Sequence, residues 1–544
     1  MKRMTLWRPT IGGRTLALAT TLYLLLACNA TFWAHAHAAF GGTTPAFVSF
    51  ALGIGLLLLA VLVFASVDWI LKSVATLLVL ISGISSYFND TFGTVIDRAM
   101  IESAVTTTGP EAGHLITPSF VTHVLLFAVL PALAILLVRL KPERFLHRAL
   151  RNVAVILPAL LLTAGLAAAN FASIAYVVRQ HKDVMKLLNP TAPISAAVRY
   201  GLSTVADSNL VVAPFGTDAR AGDRLKTADK PVVVVVVAGE TARAMNFSLN
   251  GYGRDTNPEL EALGVVNFTN TTSCGTATAV SLPCMFSGFR REDYSERKAR
   301  SRQNLTDVLT HAGVSVSWWD NNTGSKGIAN LIDYARLNDR QNSPLCKDGE
   351  CLDGIFLDGL DRKLATIKTD TVIVLHQLGS HGPGYYQRYP DAFRRFTPDC
   401  RTDELMNCPK EEIVNAYDNT ILYTDHVLAS VAKLLAKHEG QVSGAMIYMS
   451  DHGESLGENG VYLHGAPYAI APREQTHVPF IAWFSPSYQK VMGLDQACLL
   501  PYANAEMSHD NLFHTVLGMM NVQTDVYNRD LDAFAPCMAK SVSQ

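Results

Sequence analysis

Residues 231–240 read PVVVVVVAGE. A continuous β-branched run of this kind forms a strand buried on both faces. Similar runs recur as VSVSWW (314–319), TVIVLH (371–376) and AMIYMS (445–450). Segments of helical period, such as NLTDVLTHAG and VNAYDNTILYTDHVLASVAKLLAKH, separate them. Strands alternating with helices predict an α/β layer fold with a mostly parallel sheet.

Polar residues stand directly after each strand. The first ends at Glu240, the second at Asp320-Asn321-Asn322 with Lys326 just beyond, the third at His376 and His381, and the fourth at Asp451-His452. Ligands of an open parallel sheet bind outside the carboxyl ends of its strands, so these groups are expected on one edge. Glu, Asp and His together suit a divalent metal, zinc first and manganese second. An isolated His or Asp after a strand is usually a turn residue. Asp451-His452-Gly453 is different, because two ligand-type side chains and a permissive Gly come directly after a buried strand. His464, in YLHGAP twelve residues later, is expected to reach the same edge by a loop.

Outward from this domain the composition changes. The chain has 544 residues, a formal net charge of −2, 49% hydrophobic and 17% charged residues. That length predicts several domains, and the near-neutral balance gives no reason to expect nucleic acid as a partner. Five apolar stretches approach the roughly 20 residues that cross a bilayer: Arg14–Phe32, Pro45–Val67, Ile70–Phe88, Val121–Val138 and Val153–Val178. Further spans come at once after the first, so it is not a cleavable signal peptide. Lys2, Arg3, Arg8 and Arg14 precede it, and Arg139, Lys141, Arg144, Arg148 and Arg151 lie between the fourth and fifth. Both regions are therefore expected on the cytoplasmic side, and everything after about residue 180 on the other. Residues 1–180 form the predicted α-helical five-span transmembrane domain, 181–230 an interfacial linker, and 231–544 the exported α/β domain.

Cysteine usage agrees with export. Cys28 falls inside the first span, whereas Cys274, Cys284, Cys346, Cys351, Cys400, Cys408, Cys498 and Cys537 all fall in the exported part. No Cys-x-x-Cys motif appears, and an oxidising compartment permits disulfides. Three local disulfides are expected among the first six, with Cys498–Cys537 as a fourth.

Two segments carry open readings. The loop Asn89–Ser119 holds Asp97, Arg98, Glu102, Thr106, Thr107, Thr108, Glu111 and His114; it either touches a lipid headgroup or is simply solvated. The stretch TSCGTATAVSLPCMFS (272–287) sets Cys274 and Cys284 around small hydroxyl residues. A closed loop holds one hydroxyl still, and a metal-activated threonine is a competent nucleophile toward phosphorus. The same hydroxyls also suit a helix cap near Thr278, and a helix N-terminus favours a phosphoryl group.

VVAGETARAMNFSLNGYGRDTNP, TSCGTATAVSLPCMFS, WWDNNTGSKG, HQLGSHGPGYYQRYP, YMSDHGESLGENGVYLHGAPYAIAPREQTHVP and SHDNLFHTVLG occur in this order. Together they resemble the lipid A phosphoethanolamine transferases, the family that includes the mobile colistin resistance enzymes. The resemblance implies a sulfatase- and alkaline-phosphatase-like hydrolase domain in the periplasm, anchored in the inner membrane of a Gram-negative bacterium and working as a monomer. It implies Thr278 as the nucleophile that takes phosphoethanolamine from phosphatidylethanolamine and passes it to a lipid A phosphate. Glu240, Thr278, Asp451 and His452 match its primary zinc site. Lys326, His381 and His464 match positions that contact the phosphoryl group or a second zinc, with Asn322 and His376 as neighbours. In the polar loop, Ser103, Thr107 and Glu111 match the residues that contact the donor headgroup; Ser103 stands where the family has Asn, which removes an amide donor. Capping an anionic phosphate with an ammonium is expected to weaken polymyxin binding.

Other acceptors, such as a core sugar, a membrane glycan or a protein, stay open, as does hydrolysis. A sulfatase lacks support because the stretch has no Cys-x-Pro-x-Arg sequence. A non-catalytic membrane sensor is disfavoured because every expected ligand is present.

Overall fold

The valine run is a strand, Val232–Gly239, buried along its whole length. In the computed structural model, which describes residues 8–207, 210–338 and 343–539, it lies inside an eight-stranded sheet. Lys2 and Arg3, two of the positive charges before the first span, lie outside the described residues. In chain order the strands are β1 (Val232–Gly239), β2 (Val266–Thr272), β3 (Ser315–Asp320), β4 (Asp333–Arg336), β5 (Thr371–His376), β6 (Ser443–Ser450), β7 (His477–Phe484) and β8 (Met507–Ser508). Their order across the sheet is β8–β2–β7–β6–β1–β5–β3–β4.

From β6 to β4 every pairing is parallel. The sheet as a whole is mixed, because β7 runs antiparallel to both β6 and β2. Between β6 and β7 the chain makes a small hairpin and two short helical turns, Tyr468–Ile470 and Arg473–Thr476, instead of a helical crossover, and an antiparallel return needs no more.

Alternate valines of β1 face opposite cores. Val232, Val234 and Val236 pack with Leu282, Phe286, Trp318 and Phe513, and Val233, Val235 and Val237 with Phe356, Tyr417, Leu428 and Tyr448. Burying these six side chains contributes on the order of 10 kcal/mol. Register then aligns the strand ends: His376 on β5 lies opposite Ala238 on β1 and Asp320 on β3, and Ser450 on β6 lies opposite Gly239.

The chain divides into two compact units, one of Met1–Ile101 with Ile116–Leu202 and one of Glu102–Leu115 with Ser203–Gln544. Among its described residues the first unit has four helices long and apolar enough to cross a membrane, Pro45–Phe64, Trp69–Phe92, Pro118–Leu137 and Phe145–Ala169. Gly13–Ala27 and Ala30–Ala39, bent by 70°, make a fifth span if counted as one. Two expected boundaries shift. The first span breaks at Asn29, whose Nδ2 donates to the carbonyl oxygens of Leu24 and Asn189 at 2.8 and 2.9 Å. The last begins at Phe145 and stops at Asn170, whose Nδ2 donates to Ser49 Oγ and to the Leu166 carbonyl, and Phe171–Gln180 forms a separate helix. Side-chain amides that bond the backbone compete with helix continuation. Leu157, Leu161 and Leu162 point outward from this unit, as lipid-facing leucines do.

Candidate active site

Glu240 leaves the end of β1 and Asp451-His452 the end of β6, all three fully enclosed. Their ligand atoms lie within 4.8 Å of one another. His452 Nε2 sits 3.3 Å from Glu240 Oε1 and 3.4 Å from Asp451 Oδ2. On its other side His452 Nδ1 faces the Gly453 carbonyl at 2.9 Å. That carbonyl can only accept, so Nδ1 carries a proton and Nε2 is the ring nitrogen turned toward the carboxylates.

Thr278 is the first residue of the helix Thr278–Ser287. Its hydroxyl lies 3.0 Å from Glu240 Oε2, 3.2 Å from Oε1 and 3.4 Å from His452 Nε2. The loop before it is closed by Cys274–Cys284. Cys346–Cys351, Cys400–Cys408 and Cys498–Cys537 are also bonded, and Cys28 is free and buried.

The donor set fits a divalent cation. Asp451 Oδ2 is buried with no hydrogen-bond donor, and burial together with the charge of Glu240 pushes this carboxyl up to about 6. Two enclosed carboxylates whose oxygens converge on one point are costly without a positive charge between them. Two carboxylate oxygens, one imidazole nitrogen and the Thr278 hydroxyl make the oxygen-rich mixed set that zinc accepts.

Neighbouring amides hold these groups in place. Asn322 Nδ2 donates to Glu240 Oε2 and to the Gln377 carbonyl, both at 2.8 Å. The amides of Thr241 and His452 donate to Asp451 Oδ1 at 3.1 and 2.7 Å. Thr241 and Lys326 both have positive φ, 59° and 51°. A β-branched residue in that region is strained, and such strain clusters at functional sites.

Outside Thr278 a cavity is lined by Ser103, Thr107, Glu111, Lys326, His381 and His464, among others. His464 Nδ1 is 3.3 Å from Glu454 Oε2, and its ring lies 4.4 Å from that of His452. Burial opposes its charge, but Glu454, Glu240 and Asp451 outweigh it and raise His464 to about 9. His381 Nε2 is 3.3 Å from Glu111 Oε1, yet burial wins there and lowers its pKa. Lys326 is likewise lowered by burial, its Nζ donating to the Thr323 carbonyl at 3.2 Å. The Thr107 hydroxyl donates to the Ser103 carbonyl at 2.7 Å.

Of the residues singled out in the sequence, Asn322 touches Glu240 itself. His376 does not line this cavity: it is wholly buried, with Nδ1 2.9 Å from Asp320 Oδ2 and its ring 5.7 Å from that of Trp318. Two residues escaped sequence reasoning. Glu454, the partner of His464, stands in the motif DHGE and had a visible signal. His509 bridges the Cys274 amide and the Ser450 carbonyl, and no spacing rule connects it to either.

Known proteins share both halves of the chain. Residues 232–522 match the sulfatase family model, and residues 54–205 match that of the phosphoethanolamine transferase EptA/EptB. Phosphoethanolamine transferase EptA of Salmonella typhimurium is 41% identical over 480 residues, 88% of each chain. Phosphatidylethanolamine transferase Mcr-1 of Escherichia coli is 37% identical over 485 residues, 87% of each. The integral membrane lipooligosaccharide phosphoethanolamine transferase A of Neisseria meningitidis superposes with a TM-score of 0.92 at 36% identity, covering 97% of this chain and 100% of that one.

Proposed function

The chain belongs to the phosphoethanolamine transferase family, and from that premise we propose that it takes phosphoethanolamine from phosphatidylethanolamine and passes it to a lipid A phosphate through a covalent ester on Thr278. The observation that carries this is a threonine hydroxyl at the head of a helix, 3.0 Å from Glu240 and 3.4 Å from His452, inside a buried set of metal-type ligands.

In the first half-reaction Thr278 Oγ1 attacks the donor phosphorus, the new O–P bond forms, and the bond to the diacylglycerol oxygen breaks. The charged ring of His464 gives the leaving oxygen its proton, while the proton of the Thr278 hydroxyl passes to His381, kept neutral by burial in the same cavity. Two groups whose environments drive their pKa values apart divide acid and base duties in this way. Lys326 and the backbone amides at the head of the helix offset the charge of the transferred group. Glu240, Asp451 and His452 would hold zinc, which when bound would supply Lewis acidity beside the Thr278 hydroxyl.

Glu111, with Ser103 and Thr107 beside it, receives the donor's ammonium; these residues share the cavity with Thr278. The apolar helices are the inner-membrane anchor, with the N-terminus cytoplasmic and the sheet domain periplasmic. Four disulfides in the second unit support an oxidising compartment. The added ammonium lowers the affinity of polymyxin for the modified lipid.

Mass spectrometry of lipid A from a Gram-negative host expressing the intact protein or Thr278→Ala tests the proposal. A phosphoethanolamine increment is expected with the former and none with the latter. Its absence from both, with folded protein in the membrane, would move the acceptor to a core sugar or another glycan.

A further inference from the structure

A larger cavity, of about 600 Å³, adjoins the site and meets it at Ala279 and Lys326. Ala279, Pro283 and Ser287 line it, which is one face of the nucleophile's helix. Its opening is mixed: Leu331, 67% exposed, and Val212, 50%, stand there with the exposed Thr106, Arg300 and Asn330.

Its charges are unevenly satisfied. Arg300 pairs with Glu102 and lies 3.8 Å from Asp207. Asp307 is used within its own helix, where it accepts from the Asn304 amide at 2.8 Å. Arg302 has no carboxylate in ion-pair range among the described residues. It lies between Phe215 and Phe289, 3.8 and 3.5 Å from their ring centroids, and donates to the Ser287 carbonyl at 2.8 Å. Its Nε is buried without a partner, and burial lowers its pKa. A half-buried guanidinium with no carboxylate partner, lining a cavity whose opening carries the exposed side chains of Leu331 and Val212, suits an anionic amphiphile.

Two lipids visit Thr278 in turn under the function proposed above, and this inference rests on that reading. The diacylglycerol that leaves first is neutral and has no use for Arg302. The acceptor is a phosphorylated glycolipid and does. We infer that this cavity is the acceptor subsite, where Arg302 anchors a phosphate of the glycolipid and Lys326 guides the attacking oxygen. That oxygen attacks the phosphorus of the Thr278 ester, the new P–O bond forms, the bond to Oγ1 breaks with its electron pair on Oγ1, and the acceptor's proton ends there.

The test uses the full-length enzyme with a fluorescent phosphatidylethanolamine donor and a purified bisphosphorylated lipid A disaccharide. Diacylglycerol release without acceptor reports the first half-reaction, and transfer to the disaccharide the second. Arg302→Gln should raise the KM for acceptor at least about tenfold while the diacylglycerol burst persists. Because Arg302 also stacks on two rings, the exposed Leu331 supplies a second probe: Leu331→Glu should raise the acceptor KM, and Leu331→Lys should not. An unchanged acceptor KM in Arg302→Gln and Leu331→Glu would overturn the inference, as would a lost burst in Leu331→Glu, which would make the cavity a donor site. Absence of any burst from the unmodified enzyme would instead remove the function on which the inference rests.

Discussion

His509 accepts the amide hydrogen of Cys274 on Nδ1 at 3.0 Å. Its Nε2 donates to the Ser450 carbonyl at 2.9 Å. One imidazole thus ties the loop that leads to the nucleophile to the strand end that carries Asp451 and His452. Burial drives its pKa down to about 3, so the ring stays neutral and keeps the single tautomer that serves both bonds.

Replacing His509 by Ala leaves a buried amide and a buried carbonyl unpaired, at about 1–3 kcal/mol each. Turnover is expected to fall on the order of 10²-fold with little change in donor KM, since the loss is of alignment. His509→Gln, whose amide can both accept and donate, should recover most of it. Equal loss in both variants would count against alignment as the cause.

Asn322 holds one oxygen of Glu240. Asn322→Ala frees that carboxylate to rotate and should lower zinc affinity or activity by about 10–100-fold, as loss of outer-shell partners does. Zinc content by elemental analysis after dialysis against graded chelator measures it; wild-type retention would contradict the proposed support.

The Cys274–Cys284 bond closes a short loop, with a sequence separation of 10. The double change Cys274→Ser, Cys284→Ser should cost about 2–4 kcal/mol of stability. Transfer activity should fall further than stability alone requires, because Thr278 lies inside the released loop. Denaturant melts and single-turnover rates on the same preparation separate the two effects.

His114 is bonded to Asp403 at 3.1 Å and to Glu350 at 3.0 Å, within the second unit. The Asp403 bond first and the Glu350 bond second raise its pKa to about 9, against burial. A folded-state pKa above the unfolded value near 6.5 means that the stabilisation is complete below about pH 6.5 and disappears as pH rises through about 9. The difference in melting temperature between the wild type and His114→Asn should be flat on the acid side of this window and shrink across it. A difference that grew with pH would contradict a charged His114.

The parts that were legible in the sequence share a physical reason. A strand buried on both faces must be apolar throughout, and β1, β3, β5 and β6 announce themselves by it; the polar residues directly after them then stand on the sheet edge whatever else the chain does. Glu240, Asp451 and His452 were readable for that reason. Strand β7 is as apolar as the others, but nothing in its own residues states that it returns antiparallel. Asn29 and Asn170 end helices through bonds to distant partners, so hydropathy overran both breaks. His509 is a tertiary link over 235 positions to Cys274, and only coordinates reveal such a clamp. His376 lay beside the right edge but turns inward to Asp320.

A covalent Thr278 ester is the step on which the proposed transfer stands. Purified enzyme with zinc and phosphatidylethanolamine, but no acceptor, should yield a peptide spanning Cys274–Cys284 with one phosphoethanolamine group located on Thr278 by tandem mass spectrometry. The adduct should vanish on adding lipid A. An unmodified Thr278 under conditions where diacylglycerol is released would contradict Thr278 as the carrier.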